Sequence, residues 1–298
     1  MIKRRQFLIL TSLSSFGFFA CHSKVQSQDP LLGSTSANDL TTSLPEGKPL
    51  LRFVSLADTG TGAAGQYAVA QAMNQYYQQN AFPLAILAGD NIYNDGEMEK
   101  IKQVFELPYQ ELLQNRVKFY ACLGNHDIRT ENGDPQVRYP GFNMTGRYYT
   151  FTYNPVQFFA LDTNSNADWD QQITWLEKEL SQSTAPWKIV FGHHQLYASG
   201  HYGFNQLLVP KLTPLFHQYG VKLYLNGHEH HYERTTPIQG VTYLTCGGGA
   251  GTREVGKSEW TAYAASRLSF AAFDVYPGQI VVKGIGTDGK IFDQGIIS

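Results

Sequence analysis

From Leu50 onward, short apolar runs alternate with longer stretches of helical period, and each run closes on a polar residue. Residues 51–57 end at Asp58, 84–88 at Gly89-Asp90, and 118–123 at Gly124-Asn125-His126. Residues 188–191 end at Gly192-His193, and 222–225 at Asn226-Gly227-His228. Runs of this length and composition predict buried strands. Between them the spacing predicts helices over 63–79, 97–114, 168–181 and 204–219. In the third, Ile173, Leu176 and Leu180 share a face, and Asp168 with Gln171 has the form of a capping box. Residues 148–153 and 156–161, joined by Asn154-Pro155, predict a hairpin. After His231 strands dominate, over 241–245, 269–275 and 279–283, and there is no internal repeat. This order predicts an α/β fold in which sheets pack together with helices outside. Ligands in such sheets bind beyond the carboxyl ends of the strands, so five polar strand ends should converge on one place.

The N-terminus follows a different rule. Lys3-Arg4-Arg5-Gln6-Phe7-Leu8 opens an apolar stretch over 7–20, 14 residues against the roughly 20 that a bilayer span requires. A basic start and a short apolar run predict a signal peptide over 1–20 and export to the periplasm or cell surface. Its paired arginines resemble a twin-arginine signal. Ala20-Cys21 resembles a lipoprotein cleavage site, at which Cys21 would be lipidated and tether the chain to a membrane. Phe18 stands where that motif usually has Leu, and ordinary cleavage near Ala20, with Cys21 an incidental thiol, is the other reading. Residues 21–49, rich in Ser, Thr, Asn, Gln, Pro and Gly, predict a flexible linker ahead of a catalytic domain over 50–298.

Composition narrows the classes. With 42% hydrophobic and 13% aromatic residues in 298, the chain can bury a sizeable core and is not of disordered type. A formal net charge of −2, with no basic run after Arg5, gives nucleic acid no electrostatic footing. Three cysteines exclude a disulfide-dense scaffold, and no Cys-x-x-Cys pair suggests a zinc knuckle. Cys122 and Cys246 read as buried thiols; a bridge between them has no support in the sequence.

Chemistry is carried by five blocks: Asp58-Thr59-Gly60, Gly89-Asp90-Asn91-Ile92-Tyr93, Gly124-Asn125-His126-Asp127, Gly192-His193 and Gly227-His228-Glu229-His230. Any one alone is equally well a turn or a satisfied core polar group. All five in order, each at a strand end, describe a metal site. They resemble the calcineurin-like metallophosphoesterases, and among them the purple acid phosphatases. Gly89-Asp90-x-x-Tyr93 makes the finer distinction, because Gly60 stands where the broader superfamily has a His, and Tyr93 would take the vacated position. The likeness is greatest to the small tartrate-resistant acid phosphatases, through Gly124-Asn125-His126-Asp127, Ala160-Leu161-Asp162-Thr163, Thr174-Trp175-Leu176, Tyr219-Gly220-Val221 and Asn226-Gly227-His228. It covers residues 50–298; Thr59 departs from it, where the family has an aromatic residue.

The resemblance implies a four-layer αββα sandwich of two mixed β-sheets flanked by helices, with the metal site at the strand C-terminal ends. It implies Asp58, Asp90, Tyr93 and His230 at site one, and Asp90, Asn125, His193 and His228 at site two, with Asp90 bridging. Two carboxylates and a phenolate suit Fe(III); two imidazoles and an amide suit a divalent ion, Fe(II), Zn(II) or Mn(II), among which the sequence does not choose. Two such metals clamp the attacking and leaving oxygens of an in-line displacement and generate hydroxide as nucleophile. His126 and His201 match histidines that serve phosphate and leaving group in the family, with His201 the favoured acid. A protonated His is needed for that task, so an acidic optimum follows. The substrates implied are phosphate monoesters, and the form expected is a monomer, though no motif encodes the oligomeric state. A phosphodiesterase or pyrophosphatase on the same site is the enzymatic alternative, and a metal- or phosphate-binding lipoprotein without turnover is the non-enzymatic one.

Other polar residues have plainer readings. His194 and His231 point away from the site if their segments are extended, though His194 could brace its neighbour's loop. His217 reads as a helix-surface residue, and Asp162 and Asp274 as turn residues. Asp127 and Glu229 are placed to hold ligand histidines by hydrogen bonds. The run Gly247–Gly251 lacks a following Gly-Lys-Ser/Thr and a helix, so it reads as a tight turn near the site rather than a phosphate loop.

Overall fold

A computed structural model of the chain describes residue 45 and residues 47–298. The expected signal peptide, Cys21 and nearly all of the expected linker lie outside the described residues. The chain runs β1 (Leu51–Leu56), α1 (Ala64–Gln79), β2 (Leu84–Leu87), α2 (Gln110–Gln114), β3 (Lys118–Ala121) and α3 (Asp134–Arg138). It continues through β4 (Tyr149–Tyr153), β5 (Val156–Ala160), α4 (Trp169–Gln182), β6 (Trp187–Phe191), α5 (Val209–Gln218) and β7 (Leu223–Asn226). From Tyr232 on the elements are all strands: β8 (Tyr232–Thr235), β9 (Thr242–Cys246), β10 (Thr261–Ala265), β11 (Ser269–Val275), β12 (Ile280–Gly286) and β13 (Ile291–Ile297).

These strands form two mixed sheets, ordered β13-β12-β11-β1-β2-β3 and β10-β8-β9-β7-β6-β5-β4. In the first, β1, β2 and β3 are parallel; in the second, β5, β6, β7 and β9 are. The period-2 alternation of strand side chains explains the layering. Phe158, Ile189 and Leu223 join Phe53, Ile86 and Phe273 in the core between the sheets, where the Phe53 and Phe158 rings meet edge to face at 5.2 Å. Their neighbours Phe159, Val190 and Tyr224 point the opposite way and meet Leu176 and Leu180 of α4 and Leu212 and Phe216 of α5. Val69 and Met73 of α1 are buried with the first sheet. Two mixed sheets flanked by helices is the expected architecture.

Local departures have identifiable causes. The helix predicted over 97–114 is broken into a 3₁₀ turn at Met98–Lys100, a π turn at Lys102–Glu106 and the short α2. Pro108 has no N–H to give to the carbonyl of Val104, and that carbonyl accepts from Gln66 Nε2 instead. The helix predicted over 204–219 starts at Val209, because the Asn205 side chain accepts from Leu207 N and Leu208 N in a turn and Pro210 opens the helix. In α4, Asp168 accepts from Gln171 N at 3.1 Å, the forward half of a capping box. Strands β8, β10 and β13 were not predicted.

Candidate metal centre

The register of both sheets brings the carboxyl ends of β1, β2, β3, β6 and β7 together, and backbone geometry turns the next residues inward. Asp58, Asp90 and His228 all adopt left-handed conformations, with φ of 57°, 53° and 67°. For residues with a Cβ this is a strained state, costing on the order of 1 kcal/mol or more each. Packing holds it: His228 N donates to Asp58 Oδ2 at 2.9 Å, and Asp58 N donates to Gly89 O at 3.0 Å. Two glycines let the chains close. A Cβ on Gly124 would stand 2.2 Å from Asp90 Oδ1, and one on Gly89, itself at φ +85°, would stand 2.6 Å from His193 Nδ1.

Seven side chains converge. Tyr93 Oη lies 2.9 Å from Asp90 Oδ2, 3.2 Å from Asp58 Oδ1 and 3.3 Å from His230 Nε2. His230 Nε2 is 3.4 Å from Asp58 Oδ1. On the other side, His193 Nε2 lies 3.0 Å from Asn125 Oδ1, 3.2 Å from His228 Nδ1 and 3.5 Å from Asp90 Oδ1. The donors therefore form two groups that share Asp90. Ligand atoms of Asp58, Asp90 and His193 all lie within 4.8 Å of one another.

The chemistry of this set fits a cation. His193 Nδ1 faces the carbonyl of Ala88 at 3.0 Å, so it carries the proton and Nε2 is a bare acceptor. That bare nitrogen points at Asn125 Oδ1, a second acceptor. Asp58 and Asp90 are 1% exposed, yet among the described residues neither pairs with a Lys or Arg. Burial, with the Asp90 charge adding to it, pushes the Asp58 carboxyl up to about 6 despite hydrogen bonding to His230. Burial, then His193 and His194, pushes His228 down to about 2. Burial, then Asp58 and Asp90, pushes the Tyr93 phenol far above its ordinary value. Each shift disfavours the charge that the fold concentrates there, and a bound cation would reverse the acidic ones.

The supporting residues divide differently from expectation. Asp127 does not hold a ligand histidine: its carboxylate accepts from Asn91 N, Ile92 N, Gly124 N and Gln136 Nε2, at 2.8–3.1 Å, and ties the β2 loop to the β3 loop. Burial, then Asp90, pushes it up to about 7. Glu229 likewise turns from the ligands and accepts from the successive N–H groups of His201, Tyr202 and Gly203. His126 lies at the centre, its Nδ1 2.6 Å from Asn94 O and its Nε2 4.0 Å from Asp90 Oδ2. His201 stands farther out. Its ring meets Tyr202 edge to face at 4.7 Å, and Tyr202 stacks on His228 at 4.1 Å.

His194 does not simply turn away. Its ring is 4.5 Å from that of His228, its Nδ1 is 2.9 Å from Thr163 Oγ1, and that hydroxyl also accepts from His193 N and His194 N. His231 is buried with Nε2 3.3 Å from Glu233 Oε2, and His217 meets Gln239 O on the surface. Asp162 pairs with Arg147, and Asp274 with Arg52 and Lys283. Cys122 and Cys246 are free and buried. The glycine run packs at the site: a Cβ on Gly247 would stand 2.7 Å from Asp58 Oδ2. Sequence reasoning missed Tyr202 and Arg253, whose Nη1 donates to His228 O at 3.3 Å; neither lies in a recognisable motif.

The chain matches the family model described as calcineurin-like phosphoesterase over residues 51–232. It is similar to purple acid phosphatase 7 of Arabidopsis thaliana, 28% identical over 231 residues, which is 67% of this chain and 70% of that one. It is similar also to tartrate-resistant acid phosphatase type 5 of Homo sapiens, 27% identical over 249 residues, covering 70% of this chain and 76% of that one. In fold alone it is similar to purple acid phosphatase PPD1 of yellow lupin (Lupinus luteus), with a TM-score of 0.71 at 21% identity over 83% of this chain and 53% of that one. The same holds for GAP50, described as the anchor in the inner membrane complex of Plasmodium, with a TM-score of 0.74 at 23% identity over 83% and 88%.

Proposed function

The chain belongs to the calcineurin-like phosphoesterase family, and from that premise we propose an exported acid phosphatase that hydrolyses phosphate monoesters at a binuclear metal centre. Asp58, Asp90, Tyr93 and His230 would hold Fe(III). Asp90, Asn125, His193 and His228 would hold a divalent iron, zinc or manganese. The observation that carries this reading is the meeting of unprotonated acceptors and unpaired buried carboxylates at one point: His193 Nε2 against Asn125 Oδ1, beside Asp58 and Asp90. The names of the relatives at 27–28% identity support the phosphatase assignment.

When bound, such metals supply Lewis acidity toward phosphoryl oxygens and acidify water. The chain's own residues do the rest. His126, fixed through Nδ1 by Asn94 O, presents Nε2 to the phosphate beside Tyr93. Glu229 sets the backbone of the loop that carries His201, the proposed proton donor to the leaving group. A histidine acid must be protonated, so the proposal carries an acidic optimum. The basic, apolar N-terminal sequence supports export, which fractionation of the producing cells tests; a protein confined to the cytoplasm would sink that part.

The test of the reaction is p-nitrophenyl phosphate hydrolysis across pH, alongside a visible absorption spectrum. A Tyr93–Fe(III) pair gives a charge-transfer band that Tyr93→Phe removes, with activity highest below pH of about 7. A colourless protein that prefers diesters would keep the site and overturn the monoesterase reading.

A further inference from the structure

The loop after β9 brings a cation that the ligand set does not use up against the segment carrying His228 and His230. Arg253 follows the glycine run, and its N–H donates to His230 O at 2.7 Å, which ties it to the ligand segment. Its Nη1 donates to His228 O, and its Cζ lies 5.7 Å from the ring of Tyr202, the same ring that stacks on His228. Among the described residues no carboxylate pairs with Arg253. It borders a cavity of about 640 Å³, together with Ser199, Gly200, His201 and Gly256. Glu254 borders that cavity too, but it is exposed and forms no ion pair with Arg253.

A half-buried guanidinium with no counter-ion is unusual, because one carbonyl and one aromatic face compensate only part of its desolvation. An arginine serving only to brace the His228 carbonyl would use one of its five donors and would need no open space beside it. The unused donors form a planar fork, the geometry that matches carboxylate and phosphate oxygens two at a time. Because His201 lines the same cavity, the anion that would meet this fork lies on the leaving-group side of the scissile ester. That step rests on the monoesterase reading above.

We propose that Arg253, positioned against Tyr202, is a specificity-determining residue that selects phosphate esters whose leaving group carries a second anionic group, a phosphate or a carboxylate. The substrate class is thereby narrowed to compounds with two negative centres a few ångströms apart. The loop 247–260 supplies the selecting charge, from a residue that is tied to the His228–His230 segment and is not itself one of the proposed ligands.

The test compares phenyl phosphate, 4-carboxyphenyl phosphate and hydroquinone bisphosphate as substrates of the metal-loaded wild type, Arg253→Gln and Arg253→Lys. Gln keeps an N–H for His228 O and removes the charge; Lys keeps the charge and removes the fork. The quantity read is the ratio of kcat/KM for each dianionic-leaving-group substrate to that for phenyl phosphate. It should fall roughly tenfold or more in Arg253→Gln and recover in part in Arg253→Lys. A fall in Arg253→Gln with only one of the two anionic probes identifies which group Arg253 takes. Calorimetric binding of methylenediphosphonate relative to orthophosphate should follow the same ratio without turnover. A ratio unchanged in Arg253→Gln, whether activity falls equally on all three substrates or on none, overturns the proposal. Wild type that hydrolyses none of the three while binding metal overturns the monoesterase reading itself, a distinct result.

Discussion

The buried aspartates of this protein fall into two groups that solve the same electrostatic problem in opposite ways. Asp162, Asp274 and Asp293 each face an internal cation: Arg147, the pair Arg52 and Lys283, and Arg234. Asp293 is held in a fork, with Arg234 Nε and Nη2 both at 2.8 Å and Tyr232 Oη at 2.8 Å. Asp58, Asp90 and Asp127 face no Lys or Arg among the described residues; Asp127 is satisfied by N–H donors, while Asp58 and Asp90 face only His and Tyr. The first group has its charge neutralised by the fold itself. The second leaves negative charge for something else to neutralise, and it does so where strained backbone and glycine contacts bring the strand ends together.

The contrast is broken most directly at Asp90. Asp90→Asn should lower turnover at least about 10³-fold, about 4 kcal/mol of transition-state stabilisation, and should deplete bound metal. Removing an unpaired buried charge should leave the metal-free protein at least as stable, as read by its Tm. Asp293→Asn should do the reverse: about 3 kcal/mol of stability lost by denaturant melt, because Arg234 loses its partner, with turnover retained at low temperature. Equal effects of the two substitutions on Tm would erase the distinction between the groups.

Next in size is the response to pH. Asp58 is held at about 6, above the roughly 4 of an exposed aspartate, so between those values the folded, metal-free protein keeps a proton that the unfolded chain has lost. The stability it contributes is present at low pH and lost as pH rises through about 6. A bound cation displaces that proton, while His228, near 2, holds none to displace. The metal-induced rise in Tm should therefore grow between pH of about 5 and about 7. A rise that shrinks over that interval would contradict the assignment of Asp58 as a ligand.

The two supporting carboxylates sharpen the comparison at a smaller scale. Asp127→Asn puts an NH₂ group among N–H donors from two ligand loops and should weaken metal affinity roughly 10- to 100-fold in a competition titration. Glu229→Gln loosens only the 201–203 segment, so metal content should hold while kcat/KM falls by less than about tenfold. Smallest of all, Asp288→Asn breaks an exposed pair with Arg267 and should leave both Tm and turnover within experimental error.

How much of this was legible in the sequence follows from how local each feature is. The seven converging residues each sit within a few positions of a strand end, so an apolar run followed by a polar block marks them. The break at Pro108 was also local, yet its consequence was not: the carbonyl it frees is met by Gln66, more than thirty residues away. Asp127 and Glu229 could be flagged as neighbours of ligands, but their partners are backbone N–H groups on other loops, which no spacing announces. Arg253 and Tyr202 lie in loops without period and become meaningful only beside His228. Strands β10 and β13 lack a clean alternation, with Ala-rich Thr261–Ala265 half exposed and Gly295 within β13, so pairing rather than pattern defines them.

The central claim is that Asp58 and Asp90 are left unpaired for cations. Elemental analysis of the purified, folded protein tests it most directly, as metal per chain in wild type and Asp90→Asn. Two metal ions per chain in the wild type, with loss from the variant at unchanged secondary structure, is the result this account predicts. A folded wild type that binds no metal under loading would contradict it.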